Sequence, residues 1–304
     1  MLPSELNKLD GVLPIRVLQH NLIAELEKIS EEFLSQQQYE IEYESLSPKI
    51  TWIVEEGPIK DVPEIKPDHK IILYEEYLQF QWNVCFALNT IYQEMKNSVT
   101  RGNGSSLILD IKNLYISNAC KAIDIALKLR KSYPKVEILD FDNLQYLDTA
   151  FKDYFEQANG LFVSSINFIL VHELGHQYRK HLDYSVDKHK EEFDADFYSA
   201  SFLLSQSETT ALKTNKYGIM SCFIGLLLLE DRTVNEDTHP TILSRIKAIL
   251  SILDLTPDDD LCVFLVWSLV IVAYKNRIKL FIPENITDNK ALMQNVLDQL
   301  EIDW

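Results

Sequence analysis

No two cysteines in this chain stand at the close spacing of a zinc–thiolate knuckle. Cys85, Cys120, Cys222 and Cys262 are scattered through apolar stretches, which argues against a thiolate metal site and for four reduced core thiols in an intracellular protein. Glycine and proline are scarce, with 8 and 10 in 304 residues, and there is no internal repeat or low-complexity tract. Positive charge is also short. The 29 Lys and Arg against 46 Asp and Glu leave a net charge of -17, and an acidic surface repels phosphate backbones, so nucleic acid is not expected as a partner. No hydrophobic run reaches the ~20 residues needed to cross a bilayer. The most apolar one, Leu261 to Tyr274, follows Thr256-Pro257-Asp258-Asp259, which reads as a helix start with Thr256 as N-cap and Pro257 at the first helical position. A buried core helix is expected there, and membrane attachment is not. The opening MLPSELNKLD has no basic stretch leading into an apolar run, so no secretory leader is expected and the location is read as cytoplasmic.

The chain does have enough apolar residues, 46%, to build a substantial core. Residues 15 to 38 carry apolar positions at helical spacing. Tyr39 to Tyr43 alternates, and Ile50 to Val54 is β-branched and aromatic, so both read as strands. Residues 57 to 68 hold three prolines and read as a loop. Lys70 to Leu73 reads as a strand entering a helix from Tyr74 to Met95. A turn over Arg101 to Ser106, a strand over Leu107 to Ile111 and a helix over Ser117 to Lys131 follow, and from Asn143 onward nearly everything reads as helix. The expected fold is mostly α with a small β element in the N-terminal third. Residues 1–69 form an N-terminal helix and short strands, and residues 70–304 a helical core continuous with them.

Asn159-Gly160 reads as the opening of an apolar helix, Leu161 to Lys180, that contains His172-Glu173-Leu174-Gly175-His176. Residues four apart share a helix face, so both imidazoles can converge on one metal ion. Glu173 is turned about 100° from His172 at ~3.6 residues per turn, close enough to act as general base for water without ligating. A hydrolytic zinc ion needs a third protein ligand and an open position. A third histidine further along the helix is missing, because those positions are Arg179 and Leu182. Downstream, Glu192, Ala195, Asp196 and Ser199 share one helical face. Glu192 is the favoured ligand, Ala195 and Ser199 are small enough for a close helix approach, and Asp196 can accept a hydrogen bond from a ligand histidine. Glu191, His181, His189 and Asp194 compete at less suitable spacings. A third cluster, Asp237-Thr238-His239-Pro240 with Arg245, puts His239 on a loop, where it can bind a developing oxyanion, with Arg245 fixing that loop by pairing with an acid.

Taken together, the His-Glu-x-x-His helix, the Glu-x-x-Ala-Asp helix and the Thr-His-Pro-x-x-x-x-Arg segment resemble the Lit-type phage-exclusion zinc peptidases, a gluzincin-like group. The resemblance spans roughly Lys70 to Leu250, leaving out the first 65 and last 50 residues. It implies a gluzincin-like core and a Zn2+ ion held by His172, His176 and Glu192. It also implies a specific intracellular protein substrate, elongation factor Tu, and an activating phage peptide or protein in an anti-phage response. A regulatory metalloprotease that cuts a repressor or antitoxin, and a catalytically inert zinc-stabilised module, are the competing readings. Glu173 argues against the inert module, which has no use for a general base.

Overall fold

A computed structural model describes residues 15, 18, 21–25, 27–29, 49–53, 59, 62–66, 70–101, 112–131, 151–178, 187–205, 209–230, 240–282, 286 and 288–303. The segments 39–43 and 107–111 lie outside the described residues. The fold is mostly α with a small β element: β1 (Lys49–Ile53), β2 (Glu64–Ile65) and β3 (Lys70–Tyr74), followed by α1 (Glu75–Arg101), α2 (Leu114–Lys131), α3 (Lys152–Tyr178), α4 (Lys188–Ser205), α5 (Thr209–Leu229), α6 (Ile242–Leu250), α7 (Asp260–Lys275) and α8 (Asn289–Asp303). The described residues from 15 to 29 are helical and bury Ile15, Leu18, Leu22 and Ile29.

The strand order is β1-β3-β2. β1 runs parallel to β3, with Ile50 opposite Ile71, and β2 runs antiparallel to it, with Glu64 opposite Ile72. β2 lies within the stretch expected to be loop. Two residues between prolines are too short for an alternating pattern to show, and pairing with β3 makes them a strand. Tyr74 Oη donates to Glu64 Oε1 at 2.7 Å and ties β2 to the end of β3. β3 thus has β1 along its whole length on one side and β2 beside Ile71 and Ile72 on the other.

From Ile71 through Tyr92 every residue is buried, so α1 is a central rod rather than an amphipathic surface helix. Some of its buried polar side chains are bonded inside: Asn83 Nδ2 donates to the Gln79 carbonyl and Gln81 Nε2 to the Ser221 carbonyl, at 2.8 and 2.9 Å. Trp82, Phe86 and Phe155 stack with ring centroids 5.0 to 5.7 Å apart, and Trp82 Nε1 donates to Asn159 Oδ1 at 2.8 Å, joining α1 to α3. α1 runs to Arg101, so the expected turn begins later than its first residue. Asn113 caps the start of α2, its Oδ1 accepting from the Tyr115 and Ile116 amides.

The structure corrects three further expectations. Asn159-Gly160 does not open α3 but lies inside it, because Phe151, Phe155 and Ala158 extend its buried face N-terminally. The N-cap of α7 is Asp259, whose Oδ1 accepts from Leu261 N at 2.8 Å, while Thr256 only closes the preceding turn. Of the four free thiols Cys120 is exposed. No described helix is long and apolar enough to cross a membrane.

α3 and α5 pack tightly at Gly218. A β-carbon there would overlap the Ser164 side chain and lie 3.1 Å from its carbonyl carbon. Gly218→Ala is therefore expected to force the helices apart and lower stability by about 1–3 kcal/mol, as overpacked cores do. Equilibrium denaturation checks this, and an unchanged midpoint would refute it.

Candidate metal centre and active site

The site forms where α3 crosses α4. Their approach depends on small residues: a β-carbon on Gly175 would sit 3.4 Å from Ala195 Cα. α3 supplies His172 and His176 one turn apart, and α4 supplies Glu192 and, one turn later, Asp196. The two Nε2 atoms are 3.0 Å apart. Glu192 presents Oε2 to His172 Nε2 at 3.5 Å and Oε1 to His176 Nε2 at 3.4 Å. Each residue thus offers a donor atom to one common point. Donors bound at ~2.0–2.1 Å in tetrahedral geometry stand about 3.3 Å from one another, so this triangle has the size a small divalent ion requires. His172 is buried, His176 and Glu192 nearly so, and three such groups converging in the interior need a cation or protons between them.

Asp196 and Arg245 support the donors from behind. Asp196, 1% exposed, places Oδ1 2.9 Å from His172 Nδ1, a close but bent contact, on the side of the ring away from the donor triangle. Arg245, from α6, donates through Nε and Nη2 to the two Asp196 oxygens, both at 2.7 Å, and places Nη1 3.1 Å from Glu192 Oε2. Its guanidinium lies over the Phe223 ring at 5.6 Å. This fork-to-fork pairing fixes the orientation of both acids.

Burial opposes charge on each of these groups, and the partners outweigh it. Asp196 is held below the usual carboxylate range by Arg245 and His172 despite burial. Glu192 is held far below it by the two histidines and Arg245, again against burial. Burial would strip the His172 proton, but Asp196 and Glu192 raise its pKa to about 9. Without a metal, the charges of His172 and Arg245 therefore balance those of Glu192 and Asp196.

Glu173 follows His172 on α3 and is half-buried. Glu191, His189 and Asp194 lie on α4 but outside the cluster of three donors. Arg179, His181, Leu182, Asp237, Thr238 and His239 lie outside the described residues. Pro240 is buried, and α6 starts after it with Thr241 as N-cap, its Oγ1 accepting from Ser244 N. Sequence reasoning left the partner of Arg245 open and missed Phe223 and Gly175. Phe223 lies in a uniformly apolar run, and only its packing singles it out.

A helical core with two histidines and a glutamate converging at ligand spacing defines the class: a protein with a candidate metal centre at a helix crossing. Residues 71–270, roughly two thirds of the chain, match the Peptidase U49 family. The chain belongs to that family and is a peptidase. The matched stretch contains all five side chains of the cluster. Searches of curated proteins and of solved structures return no match.

Proposed function

We propose that the protein is a zinc-dependent endopeptidase with His172, His176 and Glu192 as zinc ligands and Glu173 as general base. The observation that carries this reading is the donor triangle, with edges of 3.0 to 3.5 Å, in a chain of a peptidase family. Two imidazoles and one carboxylate suit Zn2+ better than the all-oxygen shells of Mg2+ or Ca2+. A bound zinc ion supplies a Lewis acid that acidifies water and polarises a scissile carbonyl. Glu173 takes the proton from the attacking water and passes it to the leaving amine. Asp196 and Arg245 keep His172 and Glu192 in position. His239 is proposed to hydrogen-bond the developing oxyanion.

The proposed substrate is one specific intracellular protein. The resemblance of the three motifs to phage-exclusion peptidases supports elongation factor Tu, with a phage peptide or protein as trigger and the cytoplasm as location. If the substrate pairs as an added strand, β3 is the less suitable edge, because β1 and β2 flank it, and among the described residues the outer edges of β1 and β2 remain. β2 also packs against α3.

The test begins with the metal. One zinc per chain is expected, lost in His176→Ala and Glu192→Ala and retained in Glu191→Ala. Elemental analysis of the purified variants decides it, and full occupancy in Glu192→Ala would remove that residue from the ligand set. Proteomics of cells expressing the wild type, compared with Glu173→Gln, should then show one new protein terminus.

A further inference from the structure

Two buried phenylalanines flank the cluster. Phe223, from the apolar second half of α5, is 0% exposed, and Phe168, one turn before His172 on α3, is 1% exposed. Their ring centroids are 5.2 Å apart with the planes at 57°, and the Phe168 centroid lies 6.4 Å from that of His172. Phe223 in turn lies under the Arg245 guanidinium, 5.6 Å from its central carbon, inside the ~6 Å at which a cation is drawn to an aromatic face. One ring therefore meets the arginine of the cluster and, through Phe168, borders its histidine.

The bonds of Arg245 leave a task for that ring. Nε and Nη2 bond Asp196, and Nη1 approaches Glu192. All three nitrogens act at the edge of the guanidinium. Hydrogen bonds tolerate a broad range of angle, so these bonds fix the position of the edge better than the tilt of the plane. Tilting would move Nη1 off Glu192 Oε2, the oxygen that faces His172 Nε2. Contact with the face is what resists tilt. Burial also takes water from the guanidinium, and the negative face of a ring replaces it without needing a hydrogen bond. Leucine, which occupies positions 226 to 229 of the same helix, would fill the space without that property.

We infer that Phe223 is a positioning residue of the metal centre: its ring face sets the plane of the Arg245 guanidinium and, through it, the orientation of Asp196 and Glu192. The inference rests on the reading of His172, His176 and Glu192 as metal ligands. Phe223 acts by holding the fork ready before the ion arrives. Without the ring face the fork stays bonded to Asp196 but loose, and Glu192 must be ordered at the moment of binding.

The test uses the full chain with Phe223 replaced by phenylalanines carrying one, two and three ring fluorines. Fluorine changes the size of the ring little but withdraws charge from its face stepwise, so packing is kept while attraction to the cation falls. Zinc affinity, measured by competition with a chelator, is expected to fall step by step, to about tenfold weaker with three fluorines, the lower end of the loss seen when a group supporting a metal ligand is removed. In the metal-free protein, solvent exchange of the Arg245 Nε proton, identified by its absence in Arg245→Lys, should quicken over the same series. The same fluorines at Phe86 should change neither readout. Its ring stacks on Phe155, which precedes His172 by ~25 Å along α3 at 1.5 Å per residue. Phe223→Leu should weaken zinc at least as much as the trifluorinated ring; if it does not fold, the fluorine series carries the comparison. Zinc affinity and proton exchange that stay flat across the series, or an equal trend at Phe86, would overturn the inference and leave Phe223 as core packing. If the wild type takes up no zinc, the metal reading fails, and the exchange series alone decides the role of Phe223.

Discussion

Glu173→Gln is expected to abolish peptide hydrolysis while leaving the fold and the metal content of the protein intact. Glutamine has the size and helix propensity of glutamate, so α3 keeps its packing, and the donor triangle does not include position 173. What is lost is the group proposed to accept the proton from water. Loss of a positioned general base costs ~10²–10⁴ in rate, and more where the same carboxylate orients the water. Zinc analysis and turnover on the identified substrate, measured on the same preparation, check this together. A variant that retains its metal and cleaves at the wild-type rate would remove Glu173 from the mechanism.

The largest effect on stability should come from Arg245→Ala. Arg245 is 8% exposed and Asp196 1%, and Arg245 makes two 2.7 Å bonds to Asp196 with a third contact to Glu192. Removing it leaves two carboxylates in the interior facing a void. Breaking a buried pair in this way costs ~3–5 kcal/mol, and metal affinity should fall with it, because neither acid is then held in orientation. Arg245→Lys keeps the charge but cannot reach both acids as a fork, so it should recover only part of the loss. Denaturant midpoints of the three proteins, compared in the metal-free state, separate this effect from loss of zinc. A midpoint for Arg245→Ala equal to the wild type would show that the cluster contributes nothing to folding.

Much of this arrangement is legible in the residues themselves. His172 and His176 are four apart, and four-residue spacing places side chains on one face whatever the rest of the fold does. Glu192, Ala195, Asp196 and Ser199 repeat that logic on α4, with the small residues at the crossing. β1, β3 and α1 show because their composition matches one structure strongly. The misses arise where local chemistry and tertiary packing disagree. Asn159-Gly160 has the local signature of a boundary, yet Asn159 accepts a bond from Trp82 inside a buried helix, and packing overrides propensity. Thr256-Pro257 is a reasonable helix entry, but Asp259 caps α7 instead, its side chain reaching the first free amide. That Arg245 grips Asp196 and Glu192 depends on how α6 sits against α4, which is a property of the assembled core and leaves no trace in spacing along the chain.

The uninterrupted course of α3 has a consequence for how this protein can change over time. The anchors to α1 at Phe155 and Asn159 and the donors at His172 and His176 lie on one rigid screw. A residue inserted or deleted between them would turn everything downstream by ~100°, swinging both imidazoles away from Glu192. Drift along this stretch is thus confined to substitution. Length variation must collect in the connections between helices, where it shifts the timing of the chain without changing the phase of its ligands.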